Sequence, residues 1–348
     1  MRILNPAVLI LGLVIGGCLT VLAESFTPLP ELAQITVETA PEMELLRRFE
    51  VSGQLSLEEM ATAAFSPDGQ LLAVAGMSRA IAVWDVISGE LIHELRHGTS
   101  VGVAAAFSPD GGTLATGDLN GRVSFWDVQT GTHLLSKLAG STGIHCLDFS
   151  PDGQRLLTVN IYDAVRVWDV ADGAFELVST FRGHGRRVNF ASFSPDGARV
   201  VSGGGDNRAR VWDAETGEEL LELTGANFFI EGVEFSPDGS TIIGASDDSN
   251  LYLWDAESGD EIRSFRWHSS PVNGVAFSSD GTLIASFCNS RSTRIWNVAT
   301  GESLANLTGH SGYVLRGAFN PQGTLLASVS RDGHVNLYGI PGPADAEL

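Results

Sequence analysis

Lysine is all but absent from this chain. Lys137 stands alone among 348 residues, and 42 acidic side chains face only 21 basic ones, for a net charge of −21 at pH 7. Phosphate contacts need clustered Lys and Arg, so this balance opposes non-specific nucleic-acid binding and favours solubility. Sustained helical periodicity is missing after residue 43, which leaves an all-β reading. Motifs that carry chemistry are just as scarce. The three cysteines (Cys18, Cys146, Cys288) and eight histidines show neither C-x-x-C nor H-E-x-x-H spacing. There is no G-x-S-x-G elbow, and Gly203-Gly204-Gly205 is a lone glycine run with no P-loop lysine and no following helix. Neither a cofactor, a metal nor a catalytic residue is expected.

What the chain does have is repetition. Phe65, Phe107, Phe149, Phe193, Phe235, Phe277 and Phe319 each open a turn related to Phe-Ser-Pro-Asp-Gly, at spacings of 42, 42, 44, 42, 42 and 42 residues. Nineteen residues after each comes Trp-Asp or its remnant, at Trp84, Trp126, Trp168, Trp212, Trp254, Trp296-Asn297 and Tyr338-Gly339. Proline in the second position of a type I turn, with glycine closing it, makes a tight strand connection. Between turns run short apolar or alternating segments such as Leu71–Ala75 and Ile81–Trp84. Each repeat therefore reads as four short antiparallel strands.

A period near forty residues carrying Trp-Asp is the mark of a propeller blade. On these residues the chain resembles the WD-repeat family of β-propellers, over residues 44–340. The resemblance implies an all-β, seven-bladed propeller of four-stranded antiparallel blades. The seventh repeat ends in Pro341-Gly342-Pro343 without an outermost strand, while residues 44–50 read like the outer strands of other blades. We expect the N-terminal strand to complete the last blade and so remove an open sheet edge. Cys146 and Cys288 fall nearly across such a ring, too far for a disulfide, and are expected as small buried side chains.

His184, Ser202 and Asp206 could be taken for a hydrolase triad. The resemblance implies instead a structural tetrad with Trp212, in which a buried indole and imidazole satisfy each other's hydrogen bonds. Repeat seven keeps His310, Ser328 and Asp332 but has Tyr338 for tryptophan. Repeat five lacks the histidine, and repeat six has Ser290 at the aspartate position. Repeats one to three lack the full set, with Ser78, Asn120 and Tyr162 at that position.

In the family, the face bearing the glycine-histidine connections and the turns between second and third strands is the usual contact surface. Here the connections carry Arg186, Arg187, Phe228, Phe229, Trp267 and Tyr313, and the turns carry Met77, Arg79, Tyr162, Arg208, Arg291 and Arg331. Arginine and exposed aromatics are typical of binding hot spots, so this face is the expected site for a peptide or an acidic protein surface.

Residues 7–23 form an uncharged, mostly apolar stretch after Arg2. Three readings stand side by side: a bacterial lipoprotein signal, from Ile15-Gly16-Gly17-Cys18 with lipidation at Cys18; an ordinary signal peptide cleaved after Ala23; or an uncleaved anchor. No basic residue follows until Arg47, so all three place the propeller outside the cytoplasmic membrane. Residues 24–43 are expected as a semi-extended tether and residues 341–348 as a short tail. The expected function is a non-catalytic protein-interaction scaffold, membrane-associated on the extracytoplasmic side. A secreted or cytoplasmic location is the alternative to that placement. The alternative function is a propeller enzyme, or a small-ligand or metal sensor, using the central channel.

Overall fold

The computed structural model describes residues 28–51, 62–76, 80–160, 164–266 and 268–341. They form seven four-stranded antiparallel sheets. Six use consecutive strands, and the seventh has the order Glu44–Glu50, His334–Gly339, Leu325–Ser330, Val314–Phe319. The N-terminal strand thus closes the ring, pairing Glu44 with Gly339 and Glu50 with His334. Arg47, on this strand, is only 7% exposed and donates to the carbonyls of Val86 and Ile87 in blade one, at 2.8 and 2.9 Å. The same short strand therefore ties blade seven to blade one.

The repeat explains each turn. In blade one the Ser66 hydroxyl accepts the Leu71 N–H at 2.9 Å, and the Gly69 N–H bonds the Ser66 carbonyl at 2.8 Å. Gly69 sits at φ +68°, where a side chain would also strike the Gln322 amide of blade seven. The aspartate of Trp-Asp shapes the turn at the same end, before the outermost strand. Asp213 Oδ1 accepts the Thr216 N–H at 2.8 Å, and Asp127 and Asp255 do the same for Thr130 and Ser258. Asn297 substitutes in blade six by accepting from Thr300 N at 3.0 Å.

Packing is circular. Seven apolar clusters occupy the seven gaps between neighbouring blades, and the gap between blades seven and one is filled like the rest. In that gap Phe49 packs on Trp84 with ring centroids 5.3 Å apart. Cys146 and Cys288 are free and buried in separate gaps, as expected.

The tether expectation requires correction for residues 28–43. Leu29, Ala33 and Ile35 donate backbone hydrogen bonds to Ile87, Ile340 and Gly323 of the ring. Ile35, Ala40 and Met43 are buried in the gap between blades six and seven, around a 3-10 turn at Ala40–Glu42. Apolar side chains spaced along an otherwise polar, proline-containing stretch make this segment a strap. Among the described residues no helix is long and apolar enough to cross a membrane. Residues 7–23, with Cys18, lie outside them.

Candidate functional site

Alternating strand direction puts the turns between first and second strands, and between third and fourth, at one end of the ring. The other end carries the blade-to-blade connections and the turns between second and third strands. That second face bears the tetrads and the Arg and aromatic residues.

In blade four His184 Nδ1 lies 2.9 Å from Asp206 Oδ1, and His184 Nε2 lies 2.8 Å from Ser202 Oγ, which accepts the Trp212 indole N–H at 2.7 Å. Burial works against the Asp206 charge. The hydrogen bond and charge of His184, the Gly185 N–H and Arg210 outweigh it and hold the carboxyl far below the usual range. Ser202 is fully buried and engaged with both rings, an arrangement that holds a blade together and offers no nucleophile to a substrate. Blade seven repeats the His310, Ser328 and Asp332 contacts at 2.7 and 3.1 Å. Its Tyr338 hydroxyl instead donates to the Thr308 carbonyl at 3.2 Å and accepts from Asn336.

Blade two departs from the reading that repeats one to three lack the set. His97 Nε2 lies 2.8 Å from Thr116 Oγ1, which accepts the Trp126 indole at 2.7 Å, and Asp118 stands 3.7 Å from His97 Nδ1. The aspartate comes from the end of the second strand, two residues before Asn120, and the histidine precedes its glycine. The reversed His97-Gly98 pair was the signal available in the sequence. Blade five solves the missing histidine differently: Tyr252 stacks on Trp254 and donates to Asp248 at 2.7 Å, while the indole turns to the Thr224 carbonyl. In blade six His268 reaches Ser286 at 2.8 Å, but its buried Nδ1 has no partner among the described residues. Ser290 bonds Cys288 and Ser292 instead. Burial, with Arg294 nearby, pushes His268 down to about 4.

The binding-face residues fall into two groups. Arg186 and Arg187 both stand over the Phe229 ring, at 6.0 and 5.7 Å, next to Phe228, which is 58% exposed. Arg331 stands over the ring of exposed Tyr313 at 5.4 Å. These are cation–π pairs presented to solvent. Arg187 and Arg208 also balance carboxylates, pairing with Glu231 at 3.0 Å and Glu222 at 3.2 Å. Arg291 occupies a left-handed turn position at φ 66° and is exposed. Met77, Arg79, Tyr162 and Trp267 lie outside the described residues.

Below this face the channel is crossed by polar side chains that the repeat pattern did not announce. Arg316 of blade seven donates to the Glu231 carbonyl of blade five at 2.8 Å and stands 5.2 Å over the Phe190 ring of blade four. His145 bonds the Val188 carbonyl at 2.9 Å, and burial, with Arg316 and Arg187 nearby, pushes it down to about 4. Among the described residues no group of three or more His, Cys, Asp or Glu side chains is placed to hold a metal.

Comparison with known proteins agrees with this geometry. The family model for the WD domain, G-beta repeat (WD40) matches residues 57–85, 89–127, 132–169, 175–213, 217–255, 259–297 and 301–339. A search of curated proteins finds no match. Seven matched repeats spanning most of the chain, each after the first supplying the outermost strand of one blade and the three inner strands of the next, establish that the chain belongs to the WD-repeat family.

Proposed function

We propose that this propeller is a non-catalytic interaction scaffold that captures a peptide or acidic protein surface on its Arg- and aromatic-bearing face. WD-repeat propellers in general bind protein partners. One observation carries the finer reading: Arg186 and Arg187 share the Phe229 ring beside exposed Phe228. A pre-stacked guanidinium loses little freedom on binding and offers both charge and planar apolar area. The Ser, His and Asp set supports the non-catalytic part, because its hydroxyl and imidazole are engaged inside a blade.

We further propose, from the sequence of residues 1–23, a bacterial chain held at the extracytoplasmic side of a membrane, with Cys18 as the lipid-bearing residue. Fractionation of wild type and Cys18→Ala tests this: membrane association lost in the variant alone supports lipidation. The face is tested by capture with the full chain. Replacing Arg187, Phe229 and Tyr313 together by Ala is expected to abolish capture of the native partner and leave the unfolding transition within about 1 kcal/mol of wild type. Unchanged capture would sink the proposal.

A further inference from the structure

Lys137, the chain's only lysine, stands where every other blade buries an apolar side chain. It pairs with Val123 on the outermost strand of blade two. The residues at this register in the other blades are Leu95, Phe181, Leu223, Phe265, Leu307 and Phe49. Each is at most 6% exposed and fills the gap to the following blade, whereas Lys137 is exposed. An ammonium resists burial, so the gap between blades two and three is left unsealed on its outer side.

The same gap is open at its other end. A methyl group placed on Gly131, Gly217, Gly259 or Gly301, in the turns between third and fourth strands, would lie 2.6–3.3 Å from the outermost strand of the preceding blade. On Gly173 of blade three it would meet nothing within 4 Å. That turn is longer, with nine residues from Trp168 to its partner Leu177 against seven from Trp126 to His133. Beside it lies an open cavity of about 300 Å³ lined by Phe125, Leu134, Leu135, Phe149, Val170 and Ala174. The carboxylate of its wall, Asp110, accepts from the Ser108 hydroxyl and the Gly112 N–H.

The chain itself shows what fits such a groove. Blade seven takes its outermost strand from the N-terminal side and so has no turn between third and fourth strands; the strap lies in the gap between blades six and seven. Ala33 and Ile35 donate their N–H groups to Ile340 and Gly323, and Ile35 shares an apolar cluster with Leu304 and Ala305. The repeat-equivalent residues between blades two and three are Val170, Gly153, Leu134 and Leu135, all of which line the cavity. Residues 28–43 include Glu31, Glu38 and Glu42 and no basic residue.

We propose that the groove between the outer edges of blades two and three docks an extended segment of a partner protein, which inserts an apolar side chain into the cavity and sets a carboxylate against Lys137. This surface lies on the side of the ring, apart from the arginine face. Donors at alternate positions of an extended chain match the spacing seen for the strap. The cavity supplies the apolar anchor, and Lys137 supplies the charge, on a strand (His133–Leu138) that carries no carboxylate of its own.

Fluorescence anisotropy of the full-length protein with a labelled peptide of residues 28–43 tests the groove. Saturable binding is expected, weakened about tenfold in Lys137→Glu, the scale for losing an interface anchor. Leu134→Asp, at an exposed site, carries the same expectation should Lys137→Glu fail to fold. A peptide with Gln at its three Glu positions should bind several-fold more weakly. Carbodiimide should join the bound peptide to Lys137, the chain's only ε-amino group. Absence of saturable binding overturns the proposal, as does full affinity in either folded variant. Without peptide, a carbodiimide-linked dimer through Lys137 assigns the groove to a second copy, and an intrachain link from Lys137 to Glu24 assigns it to the chain's own N-terminal segment; either result overturns the partner.

Discussion

Arg316 of blade seven donates to the carbonyl of Glu231 in blade five, 2.8 Å away, passing over the intervening blade. Most contacts in the ring join neighbours, as expected of a repeat protein in which each unit packs on the next. This one is a chord. It places a guanidinium inside the channel, over the Phe190 ring of blade four, and so links blade seven directly to blades four and five, which are not its neighbours in the ring.

Removing that chord should loosen the ring as a whole. For Arg316→Ala we expect a loss of about 1–3 kcal/mol, the range for a hydrogen bond to a charged group. Denaturant unfolding measures the loss, and amide exchange at Glu231 and Gly232 should accelerate. An unchanged midpoint together with unchanged exchange would show the chord to be mechanically idle.

Ring closure depends on Phe49, which is 2% exposed in the gap between blades seven and one. Phe49→Ala should cost about 3–5 kcal/mol, the usual range for emptying an aromatic site. Deleting residues 1–50 removes the pairing partner of His334–Gly339 and bares a sheet edge. Light scattering should then report association of the shortened chain; a stable monomer with wild-type unfolding would refute the closure role.

Blade six lacks a carboxylate where its histidine needs one. Ser290 stands 22 residues after His268, the separation found for both His184 with Asp206 and His310 with Asp332. Ser290→Asp is expected to supply the missing partner for the buried Nδ1 and stabilise the protein by about 1 kcal/mol. The His268 titration, seen by NMR, should move upward from about 4. A lower unfolding midpoint with no movement of that titration counts against the tetrad logic.

Two sets of carboxyls predict opposite pH limbs. Asp206 and Asp332 have folded pKa values far below the usual range. Their contribution is therefore complete above about 4, the unfolded value, and disappears as the pH falls toward the folded values. Asp206→Asn should flatten this acid limb, readable from thermal midpoints between about pH 2 and 5.

Asp148 and Glu234, which line an open cavity of about 510 Å³ at the channel mouth opposite the arginine face, run the other way. Folded, they hold protons up to about 7 and about 8, which the unfolded chain has already lost above about 4, so stability falls as the pH rises through that window. Cys146, pushed up to about 12 by burial, stays neutral there. The Asp148→Asn/Glu234→Gln variant should match wild type near pH 4 and exceed it by roughly 2 kcal/mol at pH 8, the open mouth screening part of the effect. A variant less stable than wild type at pH 8 contradicts this.

The repeat carried its own meaning. Turn residues act within a few positions of themselves, so Ser66, Gly69 and the Trp-Asp aspartates announce strands, turns and blade count without reference to the rest of the molecule. Hydrogen-bonded tetrad partners are 10–22 residues apart in the sequence, close enough that His184, Ser202, Asp206 and Trp212 could be matched by spacing. The same rule failed for His97 and Asp118 because the carboxylate had moved to the strand's end while remaining within 3.7 Å of the ring.

The linear sequence therefore determined the blade, the number of blades and the strand that closes the ring, all consequences of local turn chemistry and a fixed period. Tertiary structure alone decided that residues 28–43 lie as a strap, with Leu29 and Leu32 at the gap between blades seven and one and Ile35, Ala40 and Met43 in the gap between blades six and seven, and that Arg316 spans the channel. It also decided that Asp148 and Glu234, each unremarked in its own repeat, line the same channel mouth. The reason is geometric: residues more than forty positions apart become neighbours only when the blades stack around an axis, and no local pattern encodes that convergence.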